Sequence, residues 1–268
     1  GRQDLIRFAK AEVDQAADKA KAAQAKIAAY ADTNSGTTPT ASDYADMGVN
    51  LPTTPAVSAA VAAAILGATN AALASTPIDK SKGDTPSEVQ VIVDSYAKIL
   101  GMADGAINTP DSAKPTAQDY ANVGLASSLT DKLAGYAGAP NLSLLNQLVD
   151  KAAATGNVNT PAQLETLASA VNKVMAIADQ PAGATPVAAD LSNADLAALG
   201  ITGLSDSQKA AVIGALQSKA PTDVDTLAEI QALADAAKTS IDKIATYAEN
   251  NAGNAPTVND YSNVGVTG

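Results

Sequence analysis

The chain has 268 residues, a net charge of −11 and a pI near 4.3, with no Cys, His or Trp and a single Phe. These numbers exclude disulfides and thiolate metal sites and remove the commonest acid–base group and metal ligand. With no basic stripe to offset the charge, they also disfavour nucleic acid and anionic membrane surfaces as partners. Hydrophobic residues make up 46%, but much of that is alanine, which favours helix and adds little to a core, so slim helical bundles are expected.

The chain opens on GRQDLIRF without an initiator Met, and no signal peptide is visible. An excised slice of a longer protein is the expectation. Residues 1–37 read as a closing helix, because AEVDQAAD (residues 11–18) matches AEIQALAD (residues 228–235) and the register holds from Ala11 to Val49. The helix ends in DTNSG, where Asp32 and Asn34 resemble the start of a calcium loop. That stretch lacks the third polar ligand before the glycine and the bidentate Glu, and its counterpart ENNAG starts with Glu249. Turn chemistry is expected there.

Residues 39–49, PTASDYADMGV, form a cassette that returns as PTAQDYANVGL from Pro115, LSNADLAALGI from Leu191 and PTVNDYSNVGV from Pro256. Tyr44, Tyr120 and Leu196 are 76 residues apart, and Tyr261 follows 65 later. Thr40, Thr116, Ser192 and Thr257 are each followed three residues on by Asp43, Asp119, Asp195 or Asp260. A hydroxyl N-cap with an acid at N3 predicts a capped helix start, and because Asp is shorter than Glu the reciprocal bond is the weaker expectation. Pro39, Pro115 and Pro256 stop backward extension. Gly48, Gly124, Gly200 and Gly265 suit the left-handed C′ position. The residue after each glycine then meets the aromatic four before it in a Schellman contact. The alternative, a polar ligand site of Asp and Tyr, is opposed by Leu196, which replaces the phenol while the helix signals stay.

Beyond the first cassette, residues 56–74 have almost the length of a membrane span. They are mostly alanine, interrupted by Ser58, Gly67, Thr69 and Asn70, and follow Pro52 and Pro55. Corresponding segments carry Asp131, Lys132 and Lys209, so a buried bundle helix is expected. Next comes a second landmark: DTPSEVQVIVD from Asp84, NTPAQLETLAS from Asn159 and DTLAEIQALAD from Asp225. Thr85 with Glu88, Thr160 with Gln163 and Thr226 with Glu229 read as capping boxes, with Pro86 and Pro161 at N1. In the third copy Ser205 is the expected cap of a middle helix through Ala211, Ile213 and Leu216. Ile230, Leu233, Ala237, Ile241, Ile244 and Ala248 form the expected stripe of a long closing helix. No segment alternates with period two.

Two landmarks recurring together predict an all-α chain: a tandem, elongated array of three- to four-helix bundle repeats of about 65–76 residues. The expected organisation is a closing helix of a preceding repeat over 1–37, repeats over 38–113, 114–190 and 191–254, and the start of a further repeat over 255–268. No catalytic, cofactor or metal residue is assigned. Without His or Cys no nucleophilic triad is available, and there is no phosphate loop or dinucleotide fingerprint. Asp223 and Asp225 stand two apart, but only Asp225 has an equivalent, Asp84.

The Ala/Thr/Asp-rich units carrying PTxxDYxxxGV, followed by DTxAEIQxLVD-like helices, resemble the helical repeats of giant bacterial surface adhesins, the Bap-like, type I-secreted kind. The resemblance covers nearly the whole chain. It implies an extracellular stalk or spacer at the bacterial cell surface that supports attachment or biofilm formation, with neighbouring repeats as its main partners. A fainter likeness is to the three-helix albumin-binding modules of Gram-positive surface proteins, which would imply docking of a host or matrix protein. The units here are much longer than those modules.

Overall fold

The computed structural model describes residues 1–54, 56–75, 81–180, 191–251 and 253–266. Pro55 and the joint expected near the end of the second unit, residues 181–190, lie outside the described residues. The fold is all-α. Twelve helices are described: α1 (Arg2–Thr33), α2 (Ala41–Met47), α3 (Ala59–Leu73), α4 (Pro86–Met102), α5 (Ala117–Asn122), α6 (Ser127–Leu133), α7 (Pro140–Asp150), α8 (Pro161–Ala178), α9 (Asn193–Ala198), α10 (Asp206–Gln217), α11 (Leu227–Asn250) and α12 (Val258–Asn263). Among the described residues there is no strand, only an isolated bridge between Asp104 and Ala153.

The long helices begin where hydroxyls supply the missing acceptors. Thr85 and Thr226 each accept from the N3 amide, and Glu88 and Glu229 bond back to the cap amide, closing both expected boxes. At α8 the box is skewed. Thr160 Oγ1 accepts from the Gln163 N–H at 3.3 Å, but Gln163 Oε1 reaches the Asn159 N–H instead, at 3.1 Å. Ser205 caps α10 with a full box from Gln208.

The alanine-rich stretch becomes α3, capped by Ser58 and burying Ile65, Ala68, Ala72 and Leu73. Among the described residues no helix is long and apolar enough to cross a membrane. In α11 the buried face differs from the expected stripe. It runs through Leu227, Ile230, Ala234, Ala237 and Ser240, while Leu233 is half-buried and Ala248 is exposed. A hydropathy reading prefers Leu233, but a helix seated close against a neighbour prefers the small side chain of Ala234 at the contact.

Contacts divide the chain into two compact units: residues 1–125 with 149–164, and residues 126–148 with 165–268. In the first unit α3 packs on α4, and the core holds Ile27, Ile65, Val89, Tyr96, Ile99 and Leu100. Each such side chain contributes about 1.5–3 kcal/mol on leaving water. Gly83 permits a close approach to α1, since a Cβ there would lie 2.8 Å from Ala31 Cβ. Gln24 Nε2 donates to the neighbouring Asp84 carbonyl. In the second unit α10 packs along α11, and Leu196, Val212, Leu216 and Ile230 are buried. Each short cassette helix lies on the long helix before it: α2 on α1, α5 on α4, and α12 on α11.

Candidate functional site

The recurring cassette is the most distinctive polar constellation in the molecule. At its first copy the Asp43 N–H donates to Thr40 Oγ1 at 3.4 Å. The return bond is much tighter, with the Thr40 N–H and Oγ1 each 2.7 Å from Asp43 Oδ2. The same order holds at Thr116–Asp119, Ser192–Asp195 and Thr257–Asp260, where the amide-to-carboxylate bonds are 2.8, 2.7 and 2.7 Å. Sequence reasoning ranked the two bonds the other way. The short aspartate succeeds because its oxygen is a charged acceptor, which strengthens and shortens the bond.

A lysine on the preceding helix completes each copy. Lys26 Nζ lies 2.6 Å from Asp43, Lys98 2.9 Å from Asp119, Lys173 2.8 Å from Asp195 and Lys243 2.7 Å from Asp260. Sequence reasoning missed these lysines. Their signal is a Lys followed by Ile or Val, but it stands 17, 21, 22 and 17 residues before the aspartate, so no fixed spacing advertises it. Burial would raise the Asp43 carboxyl, but the bonds from Lys26 and Thr40 outweigh it and hold it at about 2. Asp119 and Asp195 are likewise lowered against the pull of burial, by their lysines and cap residues. Asp260 is lowered chiefly by the bond from Lys243. A carboxylate that accepts an ammonium, an amide and a hydroxyl together is a structural anchor, poorly suited to proton transfer.

Two copies add a further layer. Ser95 Oγ donates to Asp119 Oδ1 and accepts from Asn122 Nδ2 at 3.1 Å. Ser240, Asp260 and Asn263 repeat the arrangement, also with a 3.1 Å amide bond. The other two copies carry Ala23 with Asp46 and Ala170 with Ala198 at those positions. Serine on the helix thus comes with asparagine in the cassette, and its absence with another residue.

All four cassettes end as their spacing predicts. The glycines have φ of 92°, 107°, 80° and 84°. The N–H of Val49, Leu125, Ile201 and Val266 reaches the carbonyl of Tyr44, Tyr120, Leu196 and Tyr261 at 2.9, 3.2, 2.9 and 3.0 Å. These are Schellman closures. Tyr44 is fully buried, and its hydroxyl donates to Asn70 Oδ1 at 2.5 Å, while Asn70 Nδ2 donates to the Pro39 carbonyl at 3.0 Å. Burial pushes the Tyr44 phenol well above its usual value, and the charges of Tyr30 and Asp43 add to this. Tyr120 is raised in the same way, by burial and then Asp119.

The other sequence candidates are turn residues. Asn34 takes the left-handed cap position of α1, as Asn251 does in α11. Asp223 Oδ2 accepts the Ala220 N–H at 3.1 Å in the turn before α11. The Asp225 carboxyl is raised by burial and by the charge of Glu229. Among the described residues no group of three or more His, Cys, Asp or Glu side chains could hold a metal ion. The second unit has an open cleft of about 250 Å³ lined by Leu129, Lys132, Ser169, Asn172, Lys173 and Ile177. Its Lys173 is already committed to Asp195 and its Asn172 to Asn141 and the Leu129 carbonyl.

The class these features define is an all-α protein with a four-times recurring, ion-paired helix cassette. Compared with protein-family models, with curated proteins and with solved structures, the chain matches none.

Proposed function

We propose that the chain is an elongated run of tandem helical-bundle repeats serving as a structural spacer. The repeats are of the kind that forms the stalks of Bap-like surface adhesins, outside the bacterial cell, where the stalk supports attachment or biofilm formation. The observation that carries this reading is the recurrence of one joint, in which cap, lysine, aspartate and Schellman glycine are satisfied by each other. A device that spends its polar atoms on itself and repeats along the chain fixes how helices join. It offers nothing to a substrate, and the protein is not an enzyme on this reading. The acidic surface suits a spacer, because like charge opposes collapse and association.

Docking of a host protein through the middle helices has less support. The exposed large apolar residues are Leu5, Ile6, Phe8, Val13, Val91, Ile107, Val258, Tyr261 and Val266, none of them on α3, α6, α7 or α10. Small-angle X-ray scattering tests the spacer reading. A compact globule of this length has a radius of gyration of about 18 Å. The spacer reading expects a value well above that and a distance distribution with a long tail. A value near that of the compact globule overturns it.

A further inference from the structure

The front of α1 carries a stripe that nothing in the structure covers. Leu5, Ile6, Ala9, Val13, Ala16 and Ala20 fall on one side at helical spacing, and the large residues are bare: Leu5 is 73% exposed, Ile6 62% and Val13 66%. Phe8, 64% exposed, flanks them. Scattered exposed leucines need no explanation, but four large apolar residues within nine positions make a patch. The stripe continues directly into the buried part of the same helix, through Ala23, Ile27 and Ala31.

The chain contains its own template for what fits there. Residues 11–49 match residues 228–266, so Val13, Ala17 and Ala20 correspond to Ile230, Ala234 and Ala237. Those three are buried in α11, along which α10 packs, and α10 buries Ala211, Val212, Ala215 and Leu216. An alanine and aliphatic helix face is therefore the shape this stripe accepts, and α1 itself presents such a face. Charge points the same way. Residues 1–21 carry five basic and four acidic side chains, whereas the remaining residues carry 12 basic and 24 acidic. Two fronts of α1 can approach without the repulsion that the rest of the surface imposes.

We propose that the occupant is a second copy of this chain, whose α1 packs on the first in an isologous two-helix contact over residues 5–20. This goes beyond the spacer reading and stands without it. The patch spans about five turns and falls at the low end of specific interfaces, so the dimer is weak and reversible.

Sedimentation equilibrium of the whole chain tests it. The mass is expected to rise from 26.6 kDa toward twice that value as concentration climbs to about 200 µM, the range of a weak interface. Val13→Glu or Leu5→Glu weakens association at least about tenfold, because a charge then sits in the apolar contact. Ile107→Glu, at an exposed position away from α1, leaves association unchanged. Far-UV circular dichroism confirms that each variant keeps its helix content. In the unaltered protein the amides of residues 5–20 gain hydrogen-exchange protection with concentration, a readout that needs no variant. A single 26.6 kDa species throughout, protection independent of concentration, or equal weakening by Ile107→Glu overturns the proposal. A chain that stays monomeric leaves the stripe to a helix of another polypeptide or another unit.

Discussion

The first and last cassettes, residues 39–49 and 256–266, share every local bond yet differ in burial. Both have the hydroxyl cap, the lysine at 2.6 or 2.7 Å and the Schellman closure. Tyr44 is nevertheless 0% exposed and Tyr261 42%, and Val49 is 3% exposed against 56% for Val266. The difference is α3, which supplies Asn70 to the Tyr44 hydroxyl. No helix of that kind is described after α12. The local motif therefore builds itself from its own residues and the helix before it, while burial of its aromatic depends on the helix that follows.

The largest test of that separation is truncation of the tyrosine. Tyr44→Ala is expected to cost about 3–5 kcal/mol, as for other buried aromatics, and Tyr261→Ala less than about 1 kcal/mol. Denaturant midpoints of the two variants measure the contrast. Equal losses would mean that the last cassette is as covered as the first.

Removing the shared anchor is expected to have an intermediate effect. Asp119→Ala deletes acceptors for Lys98, Ser95 and the Thr116 amide, at about 2–3 kcal/mol for charge-assisted bonds. Lys98→Met, which keeps the stem and drops the charge, costs less, because Lys98 is 51% exposed. Acid probes the same anchors without mutation. The folded Asp43 carboxyl lies at about 2 against a usual 3.8, so its ionised form is favoured in the fold. Its contribution is full above the unfolded value and is lost as pH falls from about 4 through about 2. Helicity followed through that window should drop, and Asp43→Asn should flatten the response. A transition confined to pH above 5 would remove the anchors as its cause.

The smallest expected effect distinguishes cassettes with the serine layer from those without. Asn122→Ala leaves the Ser95 hydroxyl one donor short and is expected to cost about 1 kcal/mol. The substitution Asp46→Ala, at the equivalent position of the first cassette, is expected within about 0.5 kcal/mol, since Asp46 is exposed. Differential scanning calorimetry of both variants gives the comparison.

Much of this was legible in the residues. Helix starts at Thr85, Ser205 and Thr226, and all four cassette starts and stops, follow from one- to six-residue spacings that the backbone itself imposes. What escaped was longer in range. Lys26 and Lys98 reach their aspartates across joints of different length, and Asn70 meets Tyr44 across 26 residues. The α11 face escaped for a different reason: Leu233 is the more hydrophobic residue, while contact is decided by the size of Ala234. Short spacings encode caps. Partners held by packing leave no fixed interval to read.

The buried phenols have an optical consequence. The chain has no Trp, so its near-ultraviolet absorbance comes almost wholly from seven tyrosines. Burial holds Tyr44, Tyr96 and Tyr120 protonated far into the alkaline range. In an alkaline titration these three stay silent while folded and ionise when their helices part. The packing residue of the cassette thereby becomes an unlabelled gauge of whether the core around each joint is closed.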